Sequence, residues 1–358
     1  MKKSLLALAV LAASGAAMAQ SSVTLYGVAD AGVTYVNGDK NWSGVTSGNN
    51  LNSRIGFRGV EDLGGGLKAN FRLEAGLNLD NGDGASGYAG AKAGDGLAFK
   101  RQSTVGLEGG FGEVRLGREP TAAFNATGRY DVFGYVGIGQ SRLWADGGVV
   151  DGSANAAAVT TNQRVSNAVT YVSPNFSGFK AAVNYGFGEV AGANSDSQYL
   201  GAGLTYDNGP LSLGLGLERL NKGANSVATG KINVWSIGGS YDLGVAKILA
   251  GYRDSKVDLA VGDNKRKGYM LAVTAPVGPG LVRAAYNRYE NEKAGVKVKA
   301  DQFAVGYVYG LSKRTSVYGT YAYLKNKDGA KVWRLSNDAA VKDNGAQQGF
   351  QVGVSHSF

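Results

Sequence analysis

The chain has 358 residues, 57 of them glycine, 5 proline, none cysteine and one histidine, His356, with a formal charge of +9. The absence of cysteine and the single histidine exclude a disulfide framework, a thiol nucleophile, a Cys/His zinc site and a multi-histidine metal centre. A mean hydropathy of −0.15 argues against a helical membrane protein.

The chain opens on a targeting pattern. Lys2 and Lys3 form a positive start, Leu5 to Ala13 an apolar stretch, and Ala17-Met18-Ala19 a small-x-small cleavage signal. Together they read as a secretory signal peptide over 1–19, cut before Gln20. The apolar stretch is shorter than the roughly 20 residues a membrane-spanning helix needs. Removing Lys2 and Lys3 lowers the formal charge from +9 to +7 and leaves one exported unit, 20–358.

From Val23 onward the pattern has a period of two. Leu67, Ala69, Phe71, Leu73, Ala75 and Leu77 alternate with Lys68, Asn70, Arg72, Glu74 and Gly76. Such alternation puts one set of side chains on each face of a strand. Sixteen strands are predicted, near 23–36, 51–61, 67–79, 98–108, 113–118, 164–173, 178–188, 198–207, 210–220, 231–242, 245–255, 266–275, 280–290, 300–309, 314–325 and 347–358. Short turns rich in Gly, Pro, Asn and Asp join every second pair, as at Asp207-Asn208-Gly209. The other connections are long and polar, near 37–50, 80–97, 119–163, 189–197, 221–230, 256–265, 291–299 and 326–346. This rhythm predicts an all-β fold, a 16-stranded antiparallel transmembrane β-barrel with short periplasmic turns and long extracellular loops. Hydrocarbon leaves no partner for an unpaired backbone group, so the sheet must close.

At this strand number water fills the lumen. Arg54, Arg58, Arg72, Arg115 and Arg164 fall on the inner parity, as do Lys68, Glu74 and Glu113. Arg101 has the parity of Val105 and Leu107, so a bulge or strand-end position is needed to turn it inward. Lys180, Lys247 and Arg283 read as solvated cations. Arginines gathered on one wall imply a field across a pore, because guanidinium stays charged at any working pH. Glycines inside strands, such as Gly214, Gly216, Gly238 and Gly306, are expected to leave room for water. The connection 119–163 is too long and too aromatic for a plain loop, carrying Phe124, Tyr130, Phe133, Tyr135, Ile138, Leu143 and Trp144. Folded into the lumen, it would pack these groups on the wall, bring Glu119, Asp131 and Asp146 opposite the arginines, and narrow the channel.

The stretches Ser22-Val-Thr-Leu-Tyr-Gly27, Ser53-Arg-Ile-Gly-Phe-Arg-Gly-Val-Glu-Asp-Leu-Gly-Gly-Gly-Leu67, Val114-Arg-Leu-Gly-Arg118, Ser173-Pro-Asn-Phe-Ser-Gly-Phe179 and Gly353-Val-Ser-His-Ser-Phe358 carry a family likeness. The chain resembles the general trimeric porins of Gram-negative bacteria, of the β-proteobacterial and neisserial type. The resemblance implies a homotrimer in the cell outer membrane, in contact with lipid and lipopolysaccharide. It also implies an inward-folded third loop and passive diffusion of small hydrophilic solutes and inorganic ions. By local motif it assigns the constriction arginines to Arg54, Arg101 and Arg164. Asp131, followed by Glu119, is the acidic partner it favours. Phe358 looks like the aromatic ending read by the outer-membrane assembly machinery.

Other chemistry finds little support. His356 lies on the apolar parity beside Phe358, away from any triad geometry. No enzyme activity, cofactor, metal or nucleic acid is expected. The leading expectation is a diffusion pore with weak anion preference. The alternatives are a substrate-specific porin for anions, dicarboxylates or sugars, favoured by an aromatic track such as Tyr130, Tyr135 and Trp144, and a non-conducting adhesin.

Overall fold

The protein's structure, a computed structural model, describes residues 22–85, 96–144, 163–188, 191, 195, 197–221, 231–258, 262–336 and 339–358. The expected signal peptide, 1–19, and Asp146 lie outside the described residues. Period-two segments and tight turns fold as strands in one antiparallel sheet. The sheet runs through β1 (Ser22–Asn37), β2 (Trp42–Ser47), β3 (Arg54–Gly64), β4 (Leu67–Leu77), β5 (Gly84–Ala85) and β6 (Gln102–Gly109). It continues through β7 (Gly112–Pro120), β8 (Arg164–Val172), β9 (Phe179–Gly186), β10 (Tyr199–Asn208), β11 (Leu211–Asn221) and β12 (Lys231–Asp242). It ends with β13 (Lys247–Asp258), β14 (Asp263–Val277), β15 (Gly280–Lys293), β16 (Val296–Gly310), β17 (Thr315–Lys327) and β18 (Ala346–Ser357).

Sixteen of these strands form a closed barrel. The short strands β2 and β5 belong to outer loops and pair with β1 and β4. Closure falls on β1. One edge of it pairs with β3 from Ser22↔Val60 to Val28↔Arg54. The other edge pairs with β18 from Val28↔Ser357 to Asn37↔Gln348. The seam finishes where the Gly27 N–H donates to the Phe358 carbonyl at 3.0 Å and the Phe358 N–H to that of Gly27 at 3.1 Å.

The predicted alternation decides which side chains face lipid. Leu213, Leu215 and Leu217 of β11 are exposed outward, while Gly214, Gly216 and Glu218 are buried inward. Outward aromatics form a rim, with Trp235 against Tyr252 at 4.9 Å and Tyr252 against Tyr269 at 5.1 Å. Such rims sit at the membrane–water boundary, where one side of the ring is apolar and the other wet. The short turns use left-handed glycines, among them Gly209 (φ +54°) and Gly244 (φ +83°).

One expected loop is not a loop. Over 291–299, β15 and β16 continue and meet at Ala294-Gly295, both with positive φ (+48° and +81°). A two-residue hairpin turn demands that pair of dihedrals. The polar run Asn291 to Lys299 therefore marks strand rising past the lipid, not the end of the strand. The last outer connection also departs from expectation. Its Trp333 and Leu335 are buried, and Trp333 stacks on Tyr289 at 5.9 Å.

Candidate pore constriction

The described part of loop 3, Thr121 to Trp144, folds into the barrel. Thr121 Oγ1 accepts the Phe124 N–H at 3.2 Å and caps a short helix, α1 (Ala122–Thr127). The Asn184 side-chain carbonyl of β9 accepts the Ala122 N–H. The buried face of α1 is Ala122, Ala123, Ala126 and Thr127, and it lies on β10, β11 and β12. The inner positions there are glycine. A Cβ on Gly203 or Gly214 would strike the carbonyl oxygens of Ala122 or Ala126, and one on Gly238 would strike the Tyr130 ring. Further along, Leu143 occupies the space above Gly268 and Trp144 that above Gly251. The inner glycines Gly214, Gly216, Gly238 and Gly306 thus make room for the loop, which corrects the expectation that they make room for water.

Polar groups fasten the loop to the same wall. The Gln302 side-chain amide donates to the carbonyls of Ile138 at 3.2 Å and Gln140 at 3.1 Å. Ser141 Oγ donates to Asn287 Oδ1 at 2.6 Å, and the Arg142 N–H to the Tyr289 hydroxyl at 2.9 Å. Tyr130, Phe133, Ile138, Leu143 and Trp144 are buried in one hydrophobic core with residues of β13 to β17, Val36 of β1 and the last outer connection. Burial of Tyr130 and Trp144 takes two of the three aromatics that would favour a substrate-specific track out of the lumen.

The opposite wall holds the arginines. Glu74 of β4 is the hub. Its Oε1 lies 2.8 Å from Arg101 Nε, and its Oε2 lies 3.1 Å from Arg72 Nη2 and 3.8 Å from Arg54 Nε. The Tyr26 hydroxyl donates to Glu74 Oε2 at 2.9 Å and accepts from Arg72 Nε at 2.8 Å. Arg58 and Arg72 each place a guanidinium 5.4 Å from the centre of the Tyr26 ring. Arg164, at the first position of β8, donates from Nε to the Arg101 carbonyl at 2.9 Å. Arg101 stands one residue ahead of β6, so strand parity does not bind it, and its N–H donates to the Glu74 carbonyl at 3.1 Å. Arg54, Arg72 and Arg101 thus converge on one carboxylate, and Arg164 joins them through the Arg101 carbonyl.

The remaining assignments separate. Arg115 leaves the basic group. It lies 2.5 Å from Glu113 and 2.7 Å from Glu119, so two carboxylates neutralise it. Glu119 faces that arginine rather than Arg54, Arg101 or Arg164. Asp131 does not face the arginine wall. Its Oδ1 accepts the Phe133 N–H at 3.0 Å, and its Oδ2 accepts those of Tyr135 at 3.1 Å and Ser141 at 2.9 Å. Burial outweighs these bonds and pushes its carboxyl up to about 6. Arg283 is not a plain solvated cation. Arg283 is 5% exposed with its guanidinium 4.5 Å from the Phe133 ring centre, whereas Lys247 stays solvated, its side chain 44% exposed in a surface pair with Asp242 at 3.5 Å. Lys180 lines a cavity of about 270 Å³ beneath α1 together with Arg115 and Arg129. Glu74 is the residue whose importance the sequence reading missed. Its inward parity beside Arg72 was the available signal.

Comparison with known proteins agrees with the barrel fold. The model of the Gram-negative porin family matches residues 5–329. The chain is 43% identical to outer membrane porin protein 32 of Delftia acidovorans, over 100% of both chains. It is 31% identical to major outer membrane protein P.IB of Neisseria lactamica, over 92% of this chain and 95% of that one. Among solved structures it matches an anion-selective porin from Comamonas acidovorans with a TM-score of 0.82 and 38% identity, covering 95% of this chain and 100% of that one. The chain belongs to the Gram-negative porins, the channel-forming barrels of the cell outer membrane.

Proposed function

We propose that the channel passes small hydrophilic solutes by passive diffusion and prefers anions, with the constriction lying between loop 3 and the Arg54–Arg72–Arg101–Arg164 wall. The observation that carries this reading is the charge imbalance at Glu74, where one carboxylate answers the guanidinium groups of Arg54, Arg72 and Arg101. A low-dielectric wall focuses such a field into the water path and raises the local concentration of anions. The 38% identical solved structure is named an anion-selective porin, which supports the same sign. Selection needs no energy source and no covalent step. Width sieves solutes, and the field orders polar ones while apolar ones must break ordered water.

The same reading takes 1–19 as a signal peptide and the channel as a homotrimer. It takes lipopolysaccharide and lipid as the barrel's surroundings, and Phe358 as an assembly signal. The test is single-channel recording of the purified protein across a salt gradient. A reversal potential on the anion side supports the proposal, and one on the cation side overturns it. Block of the current by one dicarboxylate or sugar at low concentration would instead favour a substrate-specific porin.

A further inference from the structure

Loop 3 and the first outer loop each wrap around a buried carboxylate. Asp131 gathers three N–H groups of loop 3. Asp30, on the inner face of β1 and 0% exposed, gathers those of Asn49 at 2.8 Å, Asn50 at 3.2 Å and Leu51 at 3.0 Å. It also accepts the Tyr318 hydroxyl at 2.8 Å. The two loops touch, because a Cβ on Gly137 (φ +65°) would meet the Asn49 carbonyl oxygen at 2.5 Å.

Arg283 of β15 serves both. Asp131 and Asp30 lie within electrostatic reach of its guanidinium. Its Nη1 donates to the Val132 carbonyl at 3.3 Å, and its plane covers the Phe133 ring. Its Nε and Nη2 are buried and have no hydrogen-bond partner among the described residues. A buried cation so poorly bonded is costly on its own. The two carboxylates offset that cost, and removing the cation would leave each with its hydrogen-bond donors but without the charge they share.

We propose that Arg283 is a positioning residue, the shared counter-ion that locks loop 3 to the first outer loop and so fixes the gap between loop 3 and the arginine wall. The proposal rests on the channel reading above and adds to it a named lock. It commits to charge: lysine in place of Arg283 should serve, and an uncharged chain of similar size should not.

The experiment compares wild type, Arg283→Met, Arg283→Lys and Asp30→Asn as purified full chains in planar bilayers. Arg283→Met and Asp30→Asn are expected to raise open-channel current noise several-fold with frequent sub-conductance steps, while Arg283→Lys stays near wild type. A second readout follows the Asp131 carboxyl by infrared difference titration, with Asp131→Asn as the blank. Arg142, Tyr135 and Tyr289 also act on this carboxyl. Because Arg283 favours its ionised form, the titration should move to higher pH in Arg283→Met and stay put in Arg283→Lys. Quiet channels in Asp30→Asn, or a lysine variant as noisy as the methionine one, overturn the lock even if one variant folds poorly. A wild-type barrel without conductance would instead sink the channel reading.

Discussion

The Tyr130 ring occupies the place of the side chain that Gly238 lacks, so the loop's first aromatic anchor is seated on bare backbone of β12. Placing a branched side chain there forces the ring away from the wall. Gly238→Val is expected to cost about 1–3 kcal/mol of overpacking. It should push loop 3 toward the arginines and lower single-channel conductance, with barrel strand content unchanged by circular dichroism. Gly239→Ala is the control. Its added Cβ meets Leu213 on the lipid side, and conductance should stay at the wild-type value.

Glu74 is the one carboxylate that Arg54, Arg72 and Arg101 share. Glu74→Gln raises the local charge by one unit, so the reversal potential should shift further in the anion direction. The same change leaves the buried Arg101 without its ion partner. Breaking a pair of this kind costs roughly 3–5 kcal/mol. The thermal midpoint of the purified protein should therefore fall as selectivity rises.

Replacing Arg54, Arg101 and Arg164 together by Gln removes the positive excess, leaving Glu74 with Arg72 alone. The barrel should still fold, since the main-chain ladders of β3, β4 and β6 do not depend on these side chains. Reversal potentials should move toward cations. An unchanged value would place the three arginines outside the current path.

Asp131 gives a pH dependence with a definite sign. Its carboxyl, raised to about 6 from 3.8, binds a proton more readily inside the folded loop than in solvent. The seated loop therefore gains stability as pH falls through 6, and the gain is complete below the unfolded value near 4. Open-channel noise should fall between pH 7 and pH 4. In Asp131→Asn that dependence should vanish.

The strands were legible because membrane burial enforces a period of two with little exception, and because glycine and proline mark the short turns. The β15–β16 hairpin was hidden by its composition. Lys293, Lys297 and Lys299 look like loop, yet their backbone is paired and only their side chains reach water. The arginines were readable from parity and motif, whereas the partner of each was not. Glu74 becomes a hub only when β3, β4 and the coil before β6 are brought side by side. Asp131 is claimed by N–H groups that point inward because Gly134, Tyr135 and Gly137 adopt positive φ, and no spacing rule announces that. The inner glycines were correctly read as small, but smallness does not say what fills the space.

The described part of loop 3 lines the interior of the wall from β10 round to β18, whereas Arg54 and Arg72 of β3 and β4 reach water over a buried Glu74 and Arg101. Among the described residues the cylinder is thus two layers thick on one side and one layer thick on the other. Its conduit runs off-axis, along the thin side. Thermal breathing of the sheet should be damped where the packed loop braces it and freer where the guanidinium groups stand. The most compliant part of the shell is then the part that touches the passing ion.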